Sequence, residues 1–177
     1  MPSKGFVQLR TGRDVDAAAL AVLSERTFRE TFSADNAAED VEQYVRETFG
    51  PEKQRDELRD PSRRIVIAWS ADEAIGFYHL LAGVPEPSVT GPAPIELLRL
   101  YVCSRWHGQG VAAALLEHAL SSSRAEGFLT MWLGVWERNL RARAFYRKWS
   151  FEEVGEHVFM LGRDRQRDLV LARGLRP

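Results

Sequence analysis

Cysteine is almost missing from this 177-residue chain: Cys103 stands alone, which excludes an intramolecular disulfide and a cysteine-built zinc site. The four histidines, at 79, 107, 118 and 157, never fall at HxxxH-type spacing, so no metal site is expected. Nowhere do about 18 apolar residues run together, and MPSKGFVQLR has no apolar stretch behind its lysine, so neither a membrane span nor a signal peptide is expected. A surplus of one charge is also lacking, with Lys plus Arg at 24 and Asp plus Glu at 25. Nothing global draws the protein to nucleic acid or to an anionic membrane. These absences lead us to expect a reduced, cytoplasmic protein. Its length suits one domain over 1–177 that buries roughly two thirds of the surface of its unfolded chain.

Charge is unevenly spread along the sequence. Residues 29–60 hold ten acids against five bases, net −5, and 136–176 hold ten bases against six acids, net +4. Such runs read either as solvated helix faces or as local attraction for a cationic substrate near the first segment and an anionic ligand near the second.

The coarse pattern is helical first and β-rich later. FVQLR reads as a short strand, and Asp14 as the N-cap of a helix burying Val15, Ala18, Ala19, Val22, Leu23 and Phe28. A second helix carries Val41, Tyr44, Val45 and Phe49, and Gly50-Pro51 separates it from a short third one ending before Pro61. IVIAWS and AIGFYHLL form a hairpin through ADE. GVPEPSVTGPAP, with two Gly and four Pro, is a loop. IELLRLYV is apolar enough for a central strand, and a helix over about 110–126 follows it. TMWLGV, NLRARAFYRKW, FEEVGEHVF and RDLVLAR then read as strand, helix, strand and strand. Local strand pairs followed by alternation with helices imply a mixed sheet with helices on both sides, α/β or α+β.

RWHGQGVAAALLEHAL joins a strand to a helix through two glycines. The first four helical amides lack internal partners and the macrodipole adds positive potential there, so an anion suits the spot. A Walker loop fails because neither Lys nor Ser/Thr follows Gly110, and GQGVAA gives only GxGxxA for a dinucleotide fingerprint. Taken alone, the turn is equally a plain helix start.

With its flanks, LRLYVCSRWHGQGVAAALLEHAL resembles the coenzyme A signature of the GNAT superfamily of N-acetyltransferases, whose turn has the form Q/RxxGxG/A. Two registers fit. Leu115-Leu116 favour His107, Gly110 and Ala112 over the frame that starts at Arg105, and put His in the usual Gln/Arg place. NLRARAFYRKWSF, about 30 residues on, is similar to the family's NxxAxxFY(x)nGF block through Asn139, Ala142, Phe145 and Tyr146, with Ser150 where Gly is usual. TFRETFSADNAAEDVEQYV, LGVWERN and HVFMLGRDRQRDLVLA resemble the branch containing the bacterial Pai-type spermine/spermidine acetyltransferases.

The resemblance implies a seven-stranded, mostly antiparallel sheet with splayed central strands. It also implies acetyl-CoA as cosubstrate and direct transfer to a small-molecule amine, a polyamine among the candidates. A protein or peptide acceptor, or a noncatalytic acyl-CoA sensor, is the alternative; a homodimer is open. It further implies that Leu100, Tyr101 and Val102 offer backbone groups to the cofactor, alongside His107, Gly108, Gln109, Gly110, Val111 and Ala112 at the turn and Asn139, Tyr146 and Lys148 beyond. Tyr146 is the implied proton donor. Glu96 and His157 compete as base, and Glu30, Asp35 or Asp40 would suit a polyamine. Cys103 has no recognisable His/Asp setting and reads as an inert thiol.

Overall fold

The apolar run of β2 (Arg63–Ser70) feeds two cores at once. Ile65, Ile67 and Trp69 pack with Leu20 and Leu23 of α1 (Ala17–Phe32), while Val66 and Ala68 pack with Leu115, Leu116 and Ala119 of α4 (Val111–Ala125). Alternation with period two, apolar on both sides, is what a strand covered on both faces requires. The computed structural model describes residues 6–175. Arg176 of the basic segment and the first five residues lie outside that range.

The chain begins with β1 (Val7–Thr11) and a 3-10 turn (Asp14–Asp16) that leads into α1. α2 (Ala38–Thr48) and α3 (Pro51–Arg59) follow, then β2, β3 (Glu73–Ala82) and β4 (Pro94–Val102). After α4 come β5 (Thr130–Trp136), α5 (Leu140–Lys148), β6 (Glu152–Leu161) and β7 (Asp164–Gly174). One seven-stranded sheet has the order β1-β2-β3-β4-β5-β7-β6, antiparallel except for β4 beside β5. That parallel pair lasts only from Pro94↔Thr130 to Glu96↔Trp132. Beyond it the two strands part, and Leu98 is the extra residue of a bulge, since Leu80 faces Leu97 while His79 faces Arg99. This is the mixed, splayed sheet expected from the sequence.

Two local expectations fail. The first helical turn is 3-10, and Asp16, not Asp14, accepts the backbone N–H of Arg13 at 2.9 Å, whereas Asp14 pairs with Arg59. The buried face of α1 is accordingly Ala17, Leu20, Ala21, Ser24, Thr27 and Phe32 along with the expected Leu23 and Phe28. Val15 and Val22 are exposed at 77% and 68%, and Ala18 is exposed as well. The tight first turn rotates every later residue, and polar Ser24 and Thr27 sit in the interior where a hydrophobic pattern does not look for them. Thr27 solves its burial by donating to the carbonyl of Leu23 at 2.8 Å.

Leu115 is fully buried beneath the sheet and belongs to the larger of these cores. Leu115→Ala is expected to lower the unfolding free energy by about 2–5 kcal/mol through lost burial and the cavity left behind; urea titration should show an earlier midpoint with an unchanged slope.

Candidate active site

The part in the sheet opens two clefts that share a wall. The first, about 350 Å³, lies between the end of β4, the start of α4 and α5. The second, about 170 Å³, lies on the α1 and α2 side, between β4 and the β5–β7–β6 sheet. Leu100, Tyr101, Asn139, Ala142 and Tyr146 line both.

At the first cleft, Gly110 caps α4 with φ +86° and Gly108 has φ +75°, values that glycine reaches without a Cβ penalty. A Cβ at either would meet nothing within 4 Å, so the turn presents open backbone. Ala114 is the first helical residue whose amide reaches back, 3.0 Å to the carbonyl of Gly110. The amides of Gly110, Val111, Ala112 and Ala113 are therefore the unpaired ones at this helix start. Gln109 drops out, because its N–H bonds the carbonyl of Trp106 at 3.3 Å and its side chain that of Arg105. Arg105 is spent on Glu73, whereas His107, Gly110 and Ala112 all line the cleft.

His107 does not project into the cleft as a cation. Its Nε2 donates to the carbonyl of Val102 at 2.8 Å, which leaves Nδ1 as an acceptor for Arg141 Nη1 at 2.7 Å. The ring is thus a neutral bracket for Arg141, an exposed arginine of α5 lining the same cleft. The positive charge missing at position 107 arrives from another helix. Unpaired amides, clearance and a held guanidinium together fit a diphosphate group. Lys148, by contrast, is exposed at the end of α5 and lines neither cleft.

Tyr146 is 8% exposed, and burial raises its phenol further above the ordinary value. Its hydroxyl bonds no other group among the described residues. Asn139 caps α5, its Oδ1 accepting the N–H of Ala142 at 3.1 Å, and its amide nitrogen remains for the clefts it lines. Ser150 has φ +60°, the left-handed conformation that makes Gly usual there and that costs serine roughly 1 kcal/mol.

The second cleft combines aromatics with charge. Phe28, Phe32, Tyr44, Phe49, Trp136 and Phe159 form its apolar walls. Glu96 and Asp168 line it as buried carboxylates, each 8–9% exposed. Burial raises both, and Asp168, whose Oδ1 has no partner, is pushed up to about 6. His157 faces Asp168 across β6 and β7, and its Nδ1 meets Glu86 Oε2 at 3.1 Å. Burial acts to raise Glu86, but hydrogen bonds from His157 and Ser88 outweigh it and leave it low. Gly134 of β5 makes room for this group: a Cβ there would stand 2.7 Å from His157 Nε2 and 3.4 Å from Asp168 Oδ2.

The acids singled out in the front third lie elsewhere. Glu30 accepts the backbone N–H of Ser104 at 2.8 Å and pairs with Arg26; Asp35 is exposed in a turn; Asp40 accepts the N–H of Arg163. None lines the second cleft. What that acidic segment contributes is aromatic, Phe32, Tyr44 and Phe49. Sequence reasoning missed Asp168, Arg99 and Glu86; the one available signal was an acid inside the otherwise apolar run DLVLA. Cys103 is fully buried and burial raises its thiol, which suits an inert residue.

A family model described as the acetyltransferase (GNAT) family matches residues 24–151. The chain belongs to the GNAT family. Among its relatives, an uncharacterised N-acetyltransferase of Mycobacterium bovis is 32% identical over 160 residues, covering 90% of this chain and 98% of that protein. Another, encoded in the pepI 3′ region of Lactobacillus delbrueckii subsp. lactis, is 30% identical over 90% of this chain and 92% of its own. The fold is similar to the crystal structure of PaiA N-acetyltransferase from Thermoplasma acidophilum in complex with coenzyme A. That likeness has a TM-score of 0.80 at 20% identity, over 96% of this chain and 99% of the other. As a GNAT member the protein is an N-acetyltransferase with acetyl-CoA as cosubstrate. Among the described residues no helix is long and apolar enough to cross a membrane.

For this GNAT turn, the bracketed arginine sets the next expectation. Arg141→Ala should raise the KM for acetyl-CoA roughly tenfold, the worth of one charge-assisted hydrogen bond, with kcat little altered; steady-state kinetics with acetyl-CoA varied would read this directly.

Proposed function

We propose that the protein acetylates a small primary amine that enters the second cleft as a cation and meets the acetyl group beside Tyr146. The observation that carries this reading is the pair of clefts joined at Tyr146, one with an anion cradle and the other with two buried carboxylates among aromatic rings. Ammonium groups are held by carboxylates and by ring faces, and a cleft of about 170 Å³ admits a small acceptor or one end of a longer one. Polyamines, the acceptors suggested by the Pai-like segments of the sequence, fall within this class.

Acetyl-CoA supplies an acetyl thioester whose C–S bond breaks as the amide N–C bond forms. The rest is the work of this chain. Glu96 and Asp168 receive the ammonium ion. Becoming an amide costs that nitrogen two protons: one leaves to water before attack, and His157 takes the second at Nε2 as the N–C bond forms, while Glu86 on Nδ1 holds the ring's orientation and stabilises the imidazolium; the released thiolate takes its proton from water. Tyr146 stands where a thiolate departs. Its raised phenol stays protonated, and an ordinary thiol titrates near 8.5, so the hydroxyl serves by donating a hydrogen bond to developing charge rather than by full transfer. Unpaired backbone of β4 beyond Glu96 offers the strand-like partners for an extended cofactor arm.

Tyr146→Phe is expected to leave acetyl-CoA affinity intact and to slow kcat by roughly 10²- to 10⁴-fold, the range of acid–base groups; equilibrium binding together with a free-thiol assay would separate the two, and unchanged turnover would remove Tyr146 from this role.

A second expectation concerns pH. Acceptor KM should climb as pH falls through about 6, where Asp168 takes up its proton, and Asp168→Asn should lose that dependence. Its folded pKa lies above the ordinary 3.8, so the folded state binds the proton more tightly than the unfolded chain. The resulting stability is complete below about 4 and is lost as pH rises through about 6. Asp168→Asn should therefore raise the melting temperature at pH 8 but not at pH 4, as differential scanning calorimetry can check.

A further inference from the structure

One lining residue of the second cleft is out of place for a bare amine. Among the residues that line it, Arg99 of β4 is the one arginine or lysine, and a guanidinium repels an ammonium ion. Its side chain is 10% exposed, so this is a built-in feature rather than a surface charge that drifted near.

Arg99 is half used by the fold. Nη1 donates to Glu57 of α3 at 2.9 and 3.2 Å and lies 3.2 Å from His79 Nδ1. His79, fully buried, is held neutral by burial and by Arg99 and Arg63 on either side. The guanidinium carbon stands 5.3 Å from the centre of the Phe49 ring, which fixes the plane from below. Nε and Nη2 donate to no acceptor among the described residues, and neither is a sealed, orphaned atom. Two parallel N–H groups on one rigid fork, carried by a residue that lines the cleft, match the two oxygens of a carboxylate. Asp168 faces the same space, with an unpartnered oxygen of its own. Tyr101 lines the same cleft and feels the charges of both Arg99 and Asp168.

We infer that Arg99 reads a carboxylate on the acceptor, so that the preferred substrate is a zwitterionic amine of the amino-acid class, its nitrogen toward Asp168 and His157 and its carboxylate on Nε and Nη2 of Arg99. The inference rests on the second cleft being the acceptor site. It divides the amine class in two: a polyamine satisfies the carboxylates and leaves Arg99 facing like charge, whereas an amino acid satisfies both poles. The carboxylate takes no part in the bond changes. It anchors the molecule so that the nitrogen, and not another group, lies next to Tyr146.

Matched pairs differing only in that carboxylate test the inference: lysine against cadaverine, ornithine against putrescine, phenylalanine against phenethylamine. Release of free thiol from acetyl-CoA is followed with each. The expected result is a kcat/KM at least about tenfold higher for the acid-bearing member of one or more pairs, a ratio that collapses in Arg99→Gln through a raised KM. Because Gln leaves Glu57 without its cation, Arg99→Lys is measured alongside: it keeps the charge against Glu57 and removes the fork, and it should also lower the ratio. A purely structural Arg99 would change both members of a pair by one factor, and that result overturns the inference. So does a wild-type enzyme that acetylates only the decarboxylated members. Thiol release with none of the amines, despite acetyl-CoA binding, overturns the acceptor-site reading itself and this inference with it.

Discussion

Past Glu96 and Trp132, the backbone groups of β4 and β5 that turn toward each other have no strand to bond. Unpaired peptide groups in a protein interior are costly, so a sheet that opens in its middle must be held open from outside and must offer what it exposes to something else. Here the opening is held by what packs into it from either face. Tyr146 comes from α5 and the aromatic cluster of Phe28, Phe32, Tyr44 and Phe49 from α1, α2 and the residue after it. Each helix start is tied in turn to the gap: α4 begins nine residues past the end of β4, after the glycine turn, and α5 is capped by Asn139, three residues past the end of β5. Both clefts follow from that one interruption of hydrogen bonding.

The separation of charge also follows from it. Positive potential collects on the α4 and α5 side through unpaired amides and Arg141, while ionisable side chains of mixed sign collect on the other side. The two sets are kept apart by Leu100, Tyr101 and Tyr146, which are large and poorly ionised; burial lifts both phenols. An anionic cofactor and a cationic nitrogen can thus approach one another from opposite faces without their binding groups neutralising each other.

Much of this was legible in the sequence, and the rest was hidden for definite reasons. The order of elements came from periodicity and from Gly and Pro breaks, and the anion cradle from two motif blocks whose register Leu115-Leu116 settled. Backbone sites of this sort leave marks in sequence because they need glycine. The second cleft needs glycine only at Gly134, inside a strand, and it is assembled from β4, β5, β6, β7, a loop and three helices, so no spacing along the chain announces it. Asp168 is masked by the apolar residues that follow it, and Arg99 by the leucines on either side of it. The phase of α1 was misread because one 3-10 turn shifted it. The acids of the first third do not line the second cleft: Glu42, Glu57 and Asp60 are taken by arginines, and the carboxylates that do line it come from β4 and β7.

Gly134 carries no group that can donate, accept or titrate, yet His157 and Asp168 converge on the space its missing side chain leaves. That position therefore shapes the second cleft by volume alone. Any other residue must push an imidazole or a carboxylate off its place, and those two are linked onward to Glu86 in the proline-rich loop and to Val135 and Trp136 along β5. The second cleft is in this sense built around an emptiness that a single methyl group can fill, while Gly134 lines no part of the first.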